Sequence, residues 1–301
     1  MEKKVTLQDT LKSQDTEEWI DLIFYRPIGY RWALFFKKMN ISPNTVTILS
    51  IILGVAAGVM FYFTNIWFNI IGMLLLIWAN SYDSADGQLE RMTGQYSRMG
   101  RILDGAAGDF WFVSIYAAIC FRLTPAWGLW IWILAATAGY FHSKRAATAA
   151  YLRNFHLLFV KGKSELDDYK TLKERAETLT WKKDFIEKLF MFFYPPYTKG
   201  QEDWTPNVQE LRKILKEKAG KDEIPPGFNE DFRRASLPMM KYTNILSFNT
   251  RVTALFISLF IGHPWLYFVF ELTIMNLLLI YMLHTYETIC KRFTIRLRGN
   301  D

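Results

Sequence analysis

Cysteine and histidine are scarce in this chain of 301 residues, which has two cysteines and four histidines. Cys120 and Cys290 lie in or beside apolar stretches and form neither a disulfide framework nor a metal-binding pattern. His142, His156, His263 and His284 are dispersed without ligand spacing, which argues against a zinc centre. The first sixteen residues, Met1 to Thr16, contain no apolar signal-peptide core, so the chain is expected to enter the membrane through its own first span. There is no internal repeat or low-complexity tract. The net charge is +7, but no nucleic-acid reading motif accompanies it, and nucleic acid is not an expected partner. The lysines and arginines instead cluster beside apolar runs, as at an anionic membrane face.

Apolar surface is abundant: 51% of residues are hydrophobic and 17% aromatic, while the 22% that are charged are segregated from them. This pattern predicts an all-α integral membrane protein. A span needs roughly 20 apolar residues. Thr45–Asn65, Ile66–Ser81, Ile102–Phe121 and Trp127–Tyr140 (toward His142) give four candidates, and Arg251–Gly262 and Pro264–His284 give two more, the fifth helped by Phe248 and Asn249. Six transmembrane helices are expected. The short connections Phe63–Trp67, Phe121–Trp127 and Gly262–Trp265 carry only Arg122, whereas Arg26, Arg31, Lys37, Lys38, Arg91, Arg98, Arg101, Lys144, Arg145 and the basic tail Lys291-Arg292 lie on the other side. The positive-inside rule then predicts that both termini and the acidic stretch between the second and third spans face the cytoplasm.

The expected organisation has four parts. Residues 1–41 hold a polar segment and an interfacial amphipathic helix, Glu17 to Met39, interrupted at Pro27. Residues 42–152 hold the first four spans, with Gly54 and Gly58 as a small-xxx-small pair suited to close helix packing. Residues 153–247 form a cytoplasmic helical insertion, with helical periodicity over Leu166–Thr178 and Val208–Ala219 and breaks at Pro195-Pro196 and Pro225-Pro226. Residues 248–301 hold the last two spans and a basic tail.

The most informative stretch lies between the second and third spans. It reads Asp83-Ser-Ala-Asp86-Gly87-Gln-Leu-Glu90-Arg91, then eight residues to Gly100, three to Asp104, and on to Gly108-Asp109. Acids beside hydrocarbon are costly and usually functional. If the second helix continues past the membrane surface, Asp83 and Asp86 share one face. Adjacent carboxylates repel unless a cation lies between them, and hard oxygen ligands suit Mg²⁺, Mn²⁺ or Ca²⁺. Gly87 leaves the backbone open to a phosphate, and the Arg91 guanidinium suits a phosphate or a carboxylate. Any one of these residues alone reads as a solvated loop charge. The set, embedded between two spans, reads as a metal–diphosphate site.

The stretch resembles the signature of the CDP-alcohol phosphotransferase family: Asp, two residues, Asp-Gly, two residues, Ala-Arg, eight residues, Gly, three residues, Asp, three residues, Asp. Asp83, Asp86, Gly87, Arg91, Gly100 and Asp104 match it in type and spacing. The resemblance implies that Asp83, Asp86 and Asp104 bind a divalent metal pair, Mg²⁺ or Mn²⁺. It implies that Gly87, Arg91 and Gly100 contact the CDP part of a donor. Ser42-Pro43-Asn44 followed by Thr47 resembles the family's segment near the nucleotide. Ser143-Lys144-Arg145-Ala146 resembles its basic element near the phosphates or an anionic acceptor, and Arg101 offers a further anion contact. The family commonly forms homodimers.

Two positions depart from the signature. Glu90 stands where the family has Ala, and Gly108 stands where it has its last Asp, with Asp109 one residue later. In the family that last Asp is a metal ligand and the proposed base. In a regular helix, position 108 lies about 40° from Asp104 and Asp109 about 140° away. A π-bulge near Gly105–Gly108 would bring Asp109 back as metal ligand and base, and this is the expected arrangement. Glu90, four residues after Asp86, is the alternative base.

The expected activity is transfer of a phospho-alcohol group from a CDP-linked donor to a hydroxyl acceptor with release of CMP, as in phospholipid biosynthesis. CDP-diacylglycerol is the favoured donor. A catalytically impaired relative that binds lipid or a partner is the alternative, and Gly108 is the feature in its favour. An ion transporter fits poorly, because the acids sit at one membrane face rather than midway across.

Overall fold

A computed structural model of the protein describes residues 6–7, 15–162, 168–181, 183–219 and 225–299, and every regular element among them is a helix. They gather into two compact units: Met1–Ser143 with Phe248–Met275, and Lys144–Ser247 with Asn276–Asp301.

The first unit opens with a single π-helical turn, Asp21–Tyr25, that runs directly into α1, Arg26–Lys38. Pro27 was expected to interrupt this segment. Instead the ladder widens just before it, the Arg26 N–H reaching back to the Asp21 carbonyl, and the chain stays helical through the proline. Proline lacks an N–H and crowds the carbonyl four residues back, so a wider turn there relieves the clash. Then come α2 (Pro43–Met60), α3 (Ile66–Thr93), α4 (Arg98–Trp127) and the start of α5 (Trp130–Lys161). The unit closes with α10 (Phe248–Phe260), α11 (Trp265–Leu272) and the first residues of α12 (Ile274–Arg298).

Local chemistry sets these boundaries. Ser42, Asn65 and Ser97 cap α2, α3 and α4 by accepting backbone N–H groups, and Gly94 ends α3 with a φ of 69°. The Gly54 and Gly58 pair packs against α4: a Cβ at Gly54 would run into the Trp111 indole, and one at Gly58 into Ser114. Polar side chains lock the same contact, since Trp111 Nε1 donates to the Ser50 carbonyl at 3.1 Å and Ser114 Oγ to the Val55 carbonyl at 3.0 Å. Around them, Ala57, Leu76, Ile115, Ile119, Leu255 and Phe268 form an apolar core.

Among the described residues, three helical stretches are long and apolar enough to cross a membrane: Pro43–Met60, Leu103–Trp127 and Trp265–Arg298. The second of these, the expected third span, reaches Trp127 rather than Phe121, because Pro125 is accommodated in the last helical turn ahead of Gly128. Helix α3 does not stop at Ser81. It carries the acidic stretch on its continuous second half, which puts Asp83 and Asp86 on one face as expected.

The second unit is built from the rest of α5 and α12 with α6 (Tyr169–Thr178), α7 (Phe185–Trp204), α8 (Pro206–Ala219) and α9 (Phe228–Ile245). Phe159, Phe228, Phe232 and Phe293 pack edge to face or stacked in its core. Glu287 of α12 accepts the backbone N–H groups of Asn207 and Val208 at 2.9 and 3.1 Å, a carboxylate on the positive end of α8. The expected break at Pro195-Pro196 is absent, since α7 runs through both prolines. Chain at Pro225 is non-helical, as expected.

Candidate active site

Helices α3 and α4 leave the Gln95–Ser97 turn with their acidic faces opposed. Asp83, Asp86 and Asp104 each offer a carboxylate oxygen, and these oxygens all lie within 4.8 Å of one another. Asp86 is buried, Asp83 half-buried and Asp104 exposed, so the group opens on one side. Asp86 lies beyond the apolar part of α3. Burial raises its carboxyl well above the usual carboxylate range, the nearby Asp83 and Asp104 charges raise it further, and bonds from Thr47 and the Gly87 N–H partly oppose them. Three acids this close repel one another as anions, and a cation between them would relieve that repulsion. Hard oxygen donors at this spacing fit a divalent metal such as Mg²⁺ or Mn²⁺.

The start of α2 supports this group. Thr47, buried, donates its hydroxyl to Asp86 Oδ2 at 2.6 Å. It therefore braces a candidate metal ligand. Asn44 Oδ1 accepts from the Ser97 hydroxyl at 3.1 Å, and Ser97 Oγ in turn caps Gly100 at 2.8 Å. A Cβ at Gly100 would strike Asn44 and come within 2.9 Å of Ser97 Oγ and 3.2 Å of Glu90 Oε1. Asn44, Glu90 and Gly100 thus meet at the α3–α4 turn. Arg91 folds back over Gly87, its guanidinium nitrogens 3.5 and 3.6 Å from where a Cβ would stand. Its buried Nε has no hydrogen-bond partner, a donor suited to an anionic ligand.

Asp109 is not part of the acid group. The expected π-bulge does not form: α4 is α-helical from Arg98 to Trp127, so Asp109 points about 140° around the helix from Asp104. Gly105 and Gly108 would have eased a distortion, but the regular hydrogen-bond ladder prevails. Position 108 shares the Asp104 face, and nothing lies within 4 Å of where a Cβ at Gly105 or Gly108 would stand. The helix therefore presents open space where the signature has its last carboxylate.

Lys144 and Arg145 belong to the second unit. Arg145 is fully buried and bonds Asn276 Oδ1, while the Lys144 ammonium stands 5.9 Å from the Trp204 ring centroid. The side chain of Arg101 lies outside the described residues.

One buried set in the first unit was only partly foreseen from the sequence. Glu271, with no exposed surface, has Oε1 3.9 Å from both Arg251 Nε and His142 Nδ1, and Arg251 Nη1 donates to His142 Nε2 at 2.9 Å. Glu271 of α11 is thus partnered by residues of two other helices, α5 and α10. The signal that could have named Arg251 was a base at the start of one apolar segment and an acid inside the next, which must pair to lie in an apolar interior.

Comparison with known proteins bears on the same helices. Residues 40–152 match the family model described as CDP-alcohol phosphatidyltransferase. This stretch is a CDP-alcohol phosphatidyltransferase domain. All six signature positions fall inside the domain, as do Asn44, Thr47, Glu90, Asp109, Lys144 and Arg145. Over 98 residues the chain is 26% identical to the bifunctional IPC transferase and DIPP synthase of Aquifex aeolicus (strain VF5). That alignment covers 33% of this chain and 22% of the relative's length. No solved structure matches. With its apolar helices, the domain identifies a membrane protein.

Proposed function

We propose that the protein transfers a phospho-alcohol group from a CDP-linked donor to a hydroxyl acceptor and releases CMP. The observation that carries this reading is the convergence of Asp83, Asp86 and Asp104 within 4.8 Å inside the matched domain. A bound Mg²⁺ or Mn²⁺ pair would neutralise the donor diphosphate and draw electrons from the phosphorus under attack. Asp83, Asp86 and Asp104 hold that pair, and Thr47 fixes the Asp86 carboxylate. Gly100 lets Asn44 close against the start of α4 beside the nucleotide, and the Arg91 Nε faces a phosphate oxygen. Glu90, one turn beyond Asp86 on α3, takes the proton of the acceptor hydroxyl, a contribution worth about 10²–10⁴-fold.

The donor favoured is CDP-diacylglycerol. An apolar groove of about 350 Å³, lined by Trp19, Ile23 and Phe24 ahead of α1, Ile77 of α3, and Val252 and Phe256 of α10, suits an acyl chain. In this reading six helices cross the bilayer, α1 lies in its interface, and both termini and the acid group face the cytoplasm. The protein works as a homodimer.

A second reading is favoured by the open space at Gly108: a relative that keeps the metal–nucleotide pocket without turnover and binds lipid or a partner. Purified protein with Mg²⁺, CDP-diacylglycerol and a panel of alcohols and sugar phosphates separates the two. Release of CMP dependent on acceptor supports the transferase. CMP binding without release from any donor or acceptor supports the second reading.

A further inference from the structure

Helix α12 buries one face along its length and leaves the opposite face open. Leu279, Met282, Tyr286, Cys290, Phe293 and Leu297 are buried, each at most 7% exposed. Taking Leu277 as zero and about 100° per residue, these six fall between about 140° and 220°. Leu277, Ile280, His284, Lys291 and Arg292 fall within about 60° either side of zero, and all five are exposed.

The open face changes character along the helix. Leu277 and Ile280 are 67% and 64% exposed. They lie within Trp265–Arg298, a stretch long and apolar enough to cross a membrane, so hydrocarbon is the natural cover for them. About 20 residues span the roughly 30 Å hydrocarbon core, and counted along the chain from Trp265 they end at His284. Lys291 and Arg292 follow about 10–12 Å further on, and their long side chains can reach back to the headgroup layer.

These two cations are not committed within the protein. Neither makes a hydrogen bond or an ion pair among the described residues. By contrast Arg296 and Arg298, further along, are paired with Asp231 and Glu210. Glu287, one turn before Lys291, is occupied, since it accepts the N–H groups of Asn207 and Val208. The open face therefore runs from an apolar part into two uncompensated positive charges. A bilayer containing anionic lipid complements both parts at once.

We propose that Lys291 and Arg292 form a docking site for the headgroups of anionic phospholipid, on the open side of α12. The inference is independent of the transferase reading.

The test uses the full-length protein in nanodiscs of phosphatidylcholine. Thr288→Cys, on the same open face one turn before Arg292, carries an environment-sensitive fluorophore, and Cys120 and Cys290 are buried. Phosphatidylglycerol or phosphatidylcholine with a doxyl quencher high on one acyl chain is then added in increasing fraction. Half-quenching in low salt should need about 10-fold less of the anionic lipid, and high salt should shrink the difference. Lys291→Gln with Arg292→Gln should abolish the preference, whereas Lys291→Arg with Arg292→Lys should keep it. The proposal is overturned if the two lipids quench alike, if neither quenches, or if the neutral pair retains the preference. Loss of preference in the charge-conserving pair overturns it too, because a structural effect would then explain both variants. So does quenching between labels on two copies, which would make this face an interface between copies.

Discussion

The Thr47 hydroxyl donates to Asp86 Oδ2 at 2.6 Å and so joins the first turn of α2 to the acid group on α3. The same hydroxyl lies 3.1 Å from the Pro43 carbonyl, but it has one hydrogen, and the shorter contact to a charged acceptor is the stronger. Thr47→Val keeps the shape and deletes the donor. Loss of such a supporting bond should weaken Mg²⁺ or Mn²⁺ binding by about 10–100-fold, with the fold retained. Calorimetric titration of the purified protein reads this directly.

Asp86 gives a prediction with a definite sign. Its folded-state carboxyl is raised above its unfolded value, so ionising it costs folding free energy. That cost is absent below the unfolded aspartate range and complete only above the raised folded value. Without metal, Asp86→Asn should therefore melt higher than wild type near neutral pH, and the gap should close as pH falls through that window. With Mg²⁺ the order should reverse, since only wild type gains binding energy. Thermal melts across pH, with and without metal, check both halves.

The base assignment separates two residues. On a regular α4, Asp109→Asn should leave CMP release within a few-fold of wild type. Glu90→Gln should cost about 10²–10⁴-fold while metal binding survives. The opposite pattern would return the role to Asp109 and require α4 to change its helical register during the reaction.

Gly108→Asp should be tolerated, because among the described residues nothing beyond its own helix backbone lies within 4 Å of its Cβ position, and glycine is a poor residue inside a helix. A fourth carboxylate on the Asp104 face should tighten metal binding and raise CMP release. Tighter metal with unchanged turnover would mean that the missing carboxylate is not what limits the reaction.

Packing of α2 on α4 can be tested at Gly54. A Cβ there meets the Trp111 ring, which is buried and hydrogen-bonded to Ser50, so the ring has little room to yield. Gly54→Ala should cost about 1–3 kcal/mol, seen as lower thermal stability in detergent.

Much of the acid site was legible because it depends on helical period alone. Asp83 and Asp86 are local neighbours on one helix, and the spacing to Asp104 brings the next helix back to them. Gly54 and Gly58 likewise announced a close contact, though not that Trp111 and Ser114 would fill it. The failures are of another kind. At Asp109 and at Pro195-Pro196 the sequence offered a reason to distort a helix, and backbone hydrogen bonding overrode it. At Pro27 it offered a break, and the ladder widened by one residue instead. Thr47 shows the remaining limit: spacing along one helix does not reveal a partner 39 positions away.

The first unit is interrupted in the chain by the second. Asn249 Nδ2 donates to Glu18 and Asp21, joining residues 231 positions apart in the case of Glu18. During synthesis, α2, α3 and α4 emerge long before α10 and α11 exist to complete their core. Loop-closure entropy must be met before that distant contact gives any return. The early helices therefore wait, with the Leu255 and Phe268 side of their core unfilled, until about a hundred intervening residues have been made. The order of translation thus makes the last helices the step that completes the membrane unit, and a chain cut short within 144–247 would leave it open.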